Sequence, residues 1–305
     1  MKVLVATEKP FAPAAVEQIR EVFDKAGYEM ALLEKYLSRA DLMEALKDVD
    51  ALIIRSDKIF DEIMDAAPQL KIIVRAGAGY DNVDLKAATS HGIVVENTPG
   101  QNANAVAELV LGMMVYMARG QFNGKPGTEL MGKKLGLHAY GNVPRNVARI
   151  AQGFGMQVYA SDPFIPAEVI EKDGVTPIAD YKEMYRECDY VSLHLPFVPA
   201  THRVVNYPLM KTMKEGATIV NSARKEVVDE EGLQTMLTER ADFRYASDIA
   251  PDNAGMLQER FPNQVYFTPK KMGAQTEEAN VNAGVAAANQ IVAFFENNDT
   301  TFKVN

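Results

Sequence analysis

The chain has 305 residues, 47% of them hydrophobic and 24% charged, a balance that predicts a globular protein large enough for two domains with separate cores. Its net charge of −9 argues against binding to nucleic acid or anionic membranes, and no apolar run is long enough to span a bilayer. The start of the chain shows no secretion signal, and the one cysteine, Cys188, excludes an internal disulfide and a cysteine metal cluster. We therefore expect a cytoplasmic protein that acts on small molecules and holds no metal, with Cys188 buried as a small apolar residue.

The first part of the chain alternates short apolar runs with amphipathic segments. Predicted strands cover 3–6, 30–33, 51–55, 71–75 and 93–96, and predicted helices cover 13–25, 41–47 and 59–67. Strands that alternate with helices favour a parallel sheet covered by helices. Residues 102–119 then form a long helix that is hydrophobic on nearly every side, and we expect it to be buried between domains.

The pattern of residues 133–163 predicts a strand, a tight turn, a helix and a second strand, followed by an acidic residue. This order is typical of a dinucleotide-binding βαβ unit, in which three glycines normally shape the turn before the helix. The corresponding residues here are Ala139, Gly141 and Pro144, so an ordinary strand-to-helix turn is an alternative. Pro144 falls in the first helical turn, which tolerates proline, although its ring should loosen the contact between helix and strand. Asp162 follows Gly141 by 21 residues, the spacing of a carboxylate that binds a ribose hydroxyl, and favours NAD over NADP.

The rest of the chain continues the alternation of strands and helices. Predicted strands cover 190–195, 217–221, 243–247, 265–268 and 302–304, and predicted helices cover 209–213, 230–239 and 276–296. We expect the last helix to return to the first domain. The sequence thus predicts an α/β fold with two doubly wound, Rossmann-like parallel-sheet domains and an interdomain cleft, one domain being residues 1–101 with 280–305 and the other residues 102–279.

Two arginines, Arg55 and Arg75, each end a predicted strand of the first domain. In open α/β sheets the carboxyl ends of the strands line the ligand crevice, so this pair, together with Ser56, is a candidate anion site. Either arginine could instead be a solvated charge at the edge of the sheet. The turn at residues 77–79 follows the second of these strands, and it can present backbone N–H groups to a carboxylate or be an ordinary tight turn.

The residues that could move a proton or hold a carboxylate are few. His194 lies inside a predicted strand, where a hydrogen-bonded structural role is the ordinary one. Lys271 follows the strand at 265–268, although a lysine there can also be a solvated loop cation, like its neighbour Lys270. Arg224 ends another strand, where it could pair with an acidic neighbour at the surface or clamp a carboxylate through its planar guanidinium.

Motifs along almost the whole chain resemble the D-isomer-specific 2-hydroxyacid dehydrogenases. The stretches that carry the resemblance are IIRS (53–56), VRAGAGYDNVDLKAATSHGI (74–93), NTPG (97–100), AVAELVLGMM (105–114), SLHLP (192–196), NSAR (221–224), VVDEEGL (227–233) and KMGAQTEEA (271–279). Besides the altered glycine turn, the chain departs from the family at two further positions. Lys271 stands where the family has its catalytic histidine, and Asn253 stands where it has the accompanying carboxylate. The resemblance indicates a short, lysine-bearing subgroup without a C-terminal regulatory domain.

The resemblance implies NAD as the cofactor and gives a role to individual residues. Lys271 would be the acid and base, Arg224 would clamp the substrate carboxylate, and Asp252 could supply the missing carboxylate if its loop shifts. Residues implied to contact NAD are Gly141, Asn142, Val143, Asp162, His194, Pro196, Ala223 and Asp248, and residues implied to bind the substrate are Arg55, Ser56, Arg75, Gly77, Ala78 and Gly79.

The resemblance further implies oxidation of 3-phosphoglycerate to 3-phosphohydroxypyruvate, the entry to serine biosynthesis, with Arg55 and Arg75 as ligands of the phosphate. A glyoxylate or hydroxypyruvate reductase and a non-catalytic, NAD-sensing corepressor remain alternatives. A free lysine has a pKa of about 10.4, so a neutral Lys271 needs burial, neighbouring cations or alkaline pH, and Asn253 avoids a carboxylate that would hold the ammonium charged. We expect a homodimer with its contact around 102–119.

Overall fold

The computed structural model describes all 305 residues, and the chain divides into two compact units. The first unit is Met1–Asn102 with Gln275–Asn305, and the second is Ala103–Ala274. The chain re-enters the first unit at residue 275 rather than the expected 280, because the last helix, whose N-cap is Thr276, belongs to the first unit over its whole length.

The first unit is built on a five-stranded sheet with the order β2-β1-β3-β4-β5, in which every pairing is parallel. Its strands are β1 (Lys2–Thr7), β2 (Glu29–Glu34), β3 (Ala51–Ile54), β4 (Ile72–Arg75) and β5 (Val94–Asn97). Its first four helices are α1 (Pro13–Ala26), α2 (Arg39–Ala45), α3 (Asp61–Asp65) and α4 (Leu85–Ser90). Strand β3 is entirely apolar, and β4 is apolar up to its last residue, Arg75, because helices cover both faces of a parallel sheet.

The second unit is built on a seven-stranded sheet with the order β12-β11-β10-β9-β6-β7-β8, again with every pairing parallel. Its strands are β6 (Lys134–His138), β7 (Gln157–Ser161), β8 (Thr176–Pro177), β9 (Tyr190–Leu193), β10 (Thr218–Asn221), β11 (Arg244–Ser247) and β12 (Val265–Phe267). Its helices are α5 (Ala103–Ala118), α6 (Asn142–Gly153), α7 (Ala167–Lys172), α8 (Tyr181–Glu187), α9 (Tyr207–Met210), α10 (Glu230–Glu239) and α11 (Ala254–Arg260).

The prediction of two Rossmann-like parallel-sheet domains is confirmed by these two sheets. The sequence pattern missed five short elements, namely α4, α7, α8, α11 and β8. Each of the four helices has seven or fewer residues, too few for a helical period of apolar residues to stand out.

Helix α12 (Glu277–Asn297) returns the chain to the first unit, where the hydroxyl of Thr276 caps it by accepting a hydrogen bond from the N–H of Ala279. It packs with α1 on one face of the five-stranded sheet, and α2, α3 and α4 cover the other face. Ile19 of α1 lies against Gly284, where a Cβ would come within 2.7 Å of the isoleucine Cδ1. Small residues on α12 therefore let the two helices approach closely.

The C-terminal segment lies along the edge strand β5. Here the predicted strand at 302–304 is reduced to one antiparallel bridge between Glu96 and Lys303. The N–H of Val304 donates to the carbonyl of Val95 at 2.9 Å, and the side chain of Asn305 accepts from the N–H of Val95 at 2.8 Å. These bonds satisfy backbone groups that an edge strand would otherwise leave unpaired.

In the second unit α5, α6 and α7 cover one face of the sheet, and α8, α9, α10 and α11 cover the other. Nine of the 16 residues of α5 are buried, and its place in this core accounts for its hydrophobic sequence. Cys188 is fully buried as predicted, and burial raises the pKa of its thiol to about 12. None of the helices combines the length and the hydrophobicity that crossing a bilayer requires.

Candidate active site

Arg55 and Arg75 lie side by side at the carboxyl edge of the five-stranded sheet. Strands β3 and β4 pair with Ile54 opposite Arg75, so the two arginines leave neighbouring strands at almost the same level. The Nε of Arg75 donates to the carbonyl of Arg55 at 2.9 Å. Ser56 is exposed at the same edge. The structure thus brings the arginine pair together with Ser56 at one edge of the sheet.

The guanidinium of Arg55 is held by groups from two other parts of the first unit. Its Nη1 donates to the carbonyls of Lys9 and Pro10 at 3.0 and 2.9 Å, and its Nη2 donates to Oδ1 of Asn280. It also lies over the ring of Phe11, 5.1 Å from the ring centre. Burial lowers the pKa of Arg55 from its usual value, yet a guanidinium stays charged in proteins. Arg55 is therefore a fixed cation rather than a solvated edge charge.

The guanidinium of Arg75 lies over Gly77. The backbone of Gly77 has φ of 151°, and a Cβ there would lie 1.5 Å from Nη1 of Arg75. The N–H of Gly77 donates to the carbonyl of Arg75 at 2.8 Å and is therefore not available to a substrate, contrary to the sequence expectation. The N–H groups of Ala78 and Gly79 make no hydrogen bond within the chain, so the turn can still offer two donors.

The end of β5 anchors this turn from the neighbouring strand. The side chain of Asn97 donates to the carbonyl of Ala78 at 2.6 Å, and the N–H of Thr98 donates to the carbonyl of Gly77 at 3.0 Å. Both residues belong to the NTPG motif, whose role the sequence left open. They support the turn that carries Arg75.

In the second unit, the turn between β6 and α6 has an open helix N-terminus. Gly141 is the N-cap of the 12-residue helix α6, no side chain caps the helix, and no atom lies within 4 Å of where a Cβ of Gly141 would be. The amides of the first turn, which include those of Asn142 and Val143, can therefore receive an anion. Pro144 is buried in this turn, and the helix forms as predicted.

Ala139 and Asp162 shape the same turn. Ala139 has φ of 82°, a left-handed conformation in which glycine is unstrained, so the loss of the family's first glycine leaves strain in the backbone. The carboxylate of Asp162 accepts from the N–H of Tyr140 at 2.7 Å and from the N–H of Phe164 at 2.8 Å. Each carboxylate oxygen keeps a second lone pair, which a sugar hydroxyl could use.

His138 and His194 lie at the point where the chain order of the seven-stranded sheet reverses. His138 ends β6, and His194 directly follows the neighbouring strand β9. The N–H of His194 donates to the carbonyl of His138 at 3.0 Å. Burial lowers the pKa of His138 to about 4 and that of His194 to about 3, so both are neutral at physiological pH. His138 meets the hydroxyl of Tyr185 at 3.0 Å, but Nε2 of His194 is buried without a partner. The expectation of a hydrogen-bonded structural His194 is therefore wrong for Nε2.

Three features of the second unit decide whether it can hold a dinucleotide. An open helix N-terminus faces the turn, a carboxylate ends the next strand, and an unpartnered imidazole nitrogen lies at the reversal of strand order. Ligands of open α/β sheets bind at that reversal, outside the carboxyl ends of the strands. The residues present fit a dinucleotide.

The loop that carries Arg224 is fixed by Asn221, whose role the sequence did not reveal. The buried amide of Asn221 donates to the carbonyl of Arg224 at 2.9 Å and to the hydroxyl of Tyr245 at 3.1 Å. Its Oδ1 accepts from the N–H of Ala223 at 2.9 Å. The backbone on both sides of Ser222 is thereby pinned, which fixes the direction in which Arg224 leaves the sheet.

Asp248 holds the loop that carries Lys271. It is 1% exposed, and its carboxylate accepts from the hydroxyl of Thr268 at 2.9 Å, from the N–H of Met272 at 2.7 Å and from the N–H of Gly273 at 2.8 Å. Oδ2 accepts only the hydrogen bond from Gly273 and keeps a lone pair, so the role as an acceptor toward the nicotinamide stays a prediction. The side chain of Lys271 itself is exposed.

Asp252, the candidate for the missing carboxylate, forms an ion pair at the surface. Its side chain is 79% exposed and pairs with Nζ of Lys225, and its N–H donates to Glu230 at 3.0 Å. Asn253 beside it is the N-cap of α11 and has a buried Oδ1 without a partner. These contacts give Asp252 a surface ion pair and do not support a catalytic role.

The chain belongs to the family of D-isomer specific 2-hydroxyacid dehydrogenases, since the model of the family's catalytic domain matches residues 3–305. It is 46% identical to the NAD⁺-bound 3-phosphoglycerate dehydrogenase of Entamoeba histolytica, with a TM-score of 0.91 over 100% of this chain and 98% of that one. The family resemblance seen in the sequence is thus confirmed.

Curated relatives include enzymes of two activities. The chain is 37% identical to the D-3-phosphoglycerate dehydrogenase of Methanocaldococcus jannaschii over 84% of this chain and 51% of that protein. It is 34% identical to the hydroxypyruvate reductase of Thermotoga maritima over 86% of this chain and 90% of that protein. The chain spans about half the length of the curated phosphoglycerate dehydrogenases it matches.

Proposed function

We propose that this protein oxidises 3-phosphoglycerate to 3-phosphohydroxypyruvate with NAD as the cofactor, the first step of phosphorylated serine biosynthesis. The observation that carries the proposal is the pair of fixed arginines, Arg55 and Arg75, at one edge of the five-stranded sheet. A 2-hydroxy acid needs one cationic clamp for its carboxylate, and Arg224 can be that clamp. Two further preorganised guanidinium groups match a second anion, and a phosphate suits the planar donor geometry of arginine.

Each residue of the site has one task in this proposal. Arg55, Arg75 and the turn at 77–79 bind and orient the phosphorylated acid. Arg224 clamps its carboxylate and carbonyl, which holds C2 in place. Lys271 takes the proton of the C2 hydroxyl on oxidation and returns it on reduction.

NAD, when bound, supplies the redox chemistry by accepting a hydride from C2. The first-turn amides of α6 would bind its pyrophosphate, Asp162 its adenosine ribose, and His194, Pro196 and Ala223 its nicotinamide side. Asp162 disfavours NADP, whose 2′-phosphate would meet a carboxylate. The Entamoeba relative, which is NAD⁺-bound, supports the choice of cofactor.

A second candidate, hydroxypyruvate reduction, is favoured by the Thermotoga relative, which this chain covers over 90% of its length. The same catalytic groups would serve, but the fixed arginine pair would have no phosphate to bind. A corepressor without chemistry would leave both Arg224 and Lys271 unused.

Initial rates separate these functions. We expect kcat/KM with NAD at alkaline pH to be far higher for 3-phosphoglycerate than for D-glycerate or D-lactate, and far higher with NAD than with NADP. Comparable rates for D-glycerate and 3-phosphoglycerate would favour the reductase. NAD binding without turnover of any of the three acids would favour the corepressor.

We further propose that the protein is a cytoplasmic homodimer with α5 at the contact. Its one cysteine is buried, which suits a reducing compartment. The exposed side of α5 includes Gly112, where the absence of a side chain lets a second helix approach closely. Light scattering coupled to size-exclusion chromatography would test the dimer, and Gly112→Arg should shift it toward monomer.

A further inference from the structure

A cavity of about 270 Å³ lies in the first unit between the edge strand β5, helix α12 and the C-terminal segment. Its polar lining includes Glu96, Asn289, Gln290 and Asp299, and its apolar lining includes Ala286 and Phe302. The proposed reaction uses none of these residues. The cavity is therefore a candidate second site, independent of the proposed function.

Two residues that line this cavity, Glu96 and Gln290, each have a buried side-chain oxygen without a hydrogen-bond partner. Glu96 is 1% exposed, and its Oε1 is buried and unpartnered. The amide of Gln290 donates through Nε2 to the carbonyl of Asn97 at 3.1 Å, which fixes its orientation and leaves Oε1 buried without a donor. Buried polar atoms without partners are rare in folded proteins because their desolvation is not compensated. Each of the two oxygen atoms could accept a hydrogen bond, and the chain supplies no donor for either.

The charges around the cavity are all negative. Glu96 and Asp299 are the only charged residues that line it, and α12 contributes none. Lys303 meets Glu96 only through the backbone bridge, and its side chain is exposed. Burial, followed by the charge of Asp299, raises the pKa of Glu96 to about 7. A cation in the cavity would therefore stabilise the ionised form of Glu96.

We propose that this cavity binds a compact organic ammonium ion, whose N–H groups donate to Oε1 of Glu96 and Oε1 of Gln290 while its short apolar stem packs against Ala286 and Phe302. An ammonium group has three donors and no acceptor, which matches a site that offers acceptors alone. A bare Ca²⁺ or Mg²⁺ ion fits less well, because such ions take six or more oxygen ligands and no apolar lining.

Calorimetric titration of the whole chain with n-butylammonium tests the site directly. We expect saturable binding, and at least tenfold weaker binding of 1-butanol, which lacks the charge, and of tetramethylammonium, which lacks N–H donors. Binding should weaken about tenfold for each pH unit below about 7, because the ionised fraction of Glu96 falls in that proportion. Asp299 titrates lower, since its hydrogen bonds from Thr301 lower its pKa.

Three variants assign the binding to this cavity. Glu96→Gln should weaken butylammonium binding at least tenfold and remove its pH dependence. Ala286→Leu keeps every charge but fills the cavity, and should abolish binding. Asp24→Asn, an exposed carboxylate on α1, is the control and should change nothing. The proposal would be overturned if butylammonium showed no saturable binding to the natural chain. It would also be overturned if binding survived Ala286→Leu, and this second test does not depend on whether Glu96→Gln folds.

Discussion

The arginine pair of the first unit and Lys271 of the second unit are positioned in different ways. In the first unit the guanidinium groups themselves are fixed. Arg55 donates to two backbone carbonyls and to Asn280. Arg75 donates to a carbonyl and occupies the space that a Cβ of residue 77 would take. In the second unit the side chain of Lys271 is exposed. The buried carboxylate of Asp248 fixes the backbone that follows Lys271 by accepting from the N–H groups of Met272 and Gly273.

The difference matches the two tasks that we propose. A group that recognises a rigid anion binds more tightly when its side chain is ordered before the ligand arrives, because no rotamer entropy is then lost on binding. A group that carries a proton must come within hydrogen-bond reach of the reacting atom, and a fixed loop can place it there. Variants of each region should therefore differ in whether kcat or KM changes.

The largest effect should come from Lys271→Ala. We expect kcat for 3-phosphoglycerate oxidation to fall by roughly 10²–10⁴, the usual range for losing a positioned acid or base, with NAD affinity nearly unchanged. In the natural chain the rate should rise with pH, because only the neutral amine accepts a proton. Lys270→Ala is the matched control and should do little. A Lys271→Ala enzyme that keeps its activity and its pH profile would refute the assignment.

Gly77→Ala should act on substrate binding instead. The added Cβ would lie 1.5 Å from Nη1 of Arg75, so the guanidinium must move. We expect KM for 3-phosphoglycerate to rise about 10- to 100-fold, in line with about 1.5–3 kcal/mol for a hydrogen bond to a charged group, and kcat to change less. Gly153→Ala, at the exposed last residue of α6 with nothing within 4 Å, is the control. An unchanged KM would show that Arg75 does not bind the phosphate.

Asp248→Asn tests whether this carboxylate positions the lysine loop. The N–H groups of Met272 and Gly273 donate to different oxygens of Asp248, and an asparagine would put a donating NH₂ group in the place of one of these oxygens. We expect kcat to fall roughly tenfold and the melting temperature to drop, while NAD affinity changes little. A loss confined to NAD affinity would instead make Asp248 a cofactor ligand. Asp252→Asn, at the exposed ion pair, should be close to neutral.

The smallest effect concerns backbone strain in the turn before α6. The first unit has glycine at its left-handed turn, Gly77, whereas the second has Ala139 at φ of 82°. Ala139→Gly should relieve about 1 kcal/mol of strain and raise the melting temperature by roughly 2 °C. Ala139→Val should lower it, because β-branched residues tolerate positive φ poorly. A lower melting temperature in both variants would show that Ala139 is unstrained.

Much of the fold could be predicted from the sequence. The alternation of apolar runs and amphipathic segments determined two parallel-sheet α/β domains, because hydrophobic periodicity is a local property of the chain. The nearness of Arg55 to Arg75 also followed, since the carboxyl ends of neighbouring parallel strands meet at one edge. The dinucleotide turn could be recognised from the spacing of Gly141 and Asp162 despite two lost glycines.

Only the tertiary structure decided which partner holds each of these groups. Asn280 lies 225 residues from Arg55, and Asp248 lies 25 from Gly273, so no local pattern could connect them. Asp252 was a candidate catalytic carboxylate by position alone, and its ion pair with Lys225 was decided by the folding of a loop. A side chain's hydrogen-bond partners depend on long-range packing, whereas the period of a strand or helix depends on its own residues.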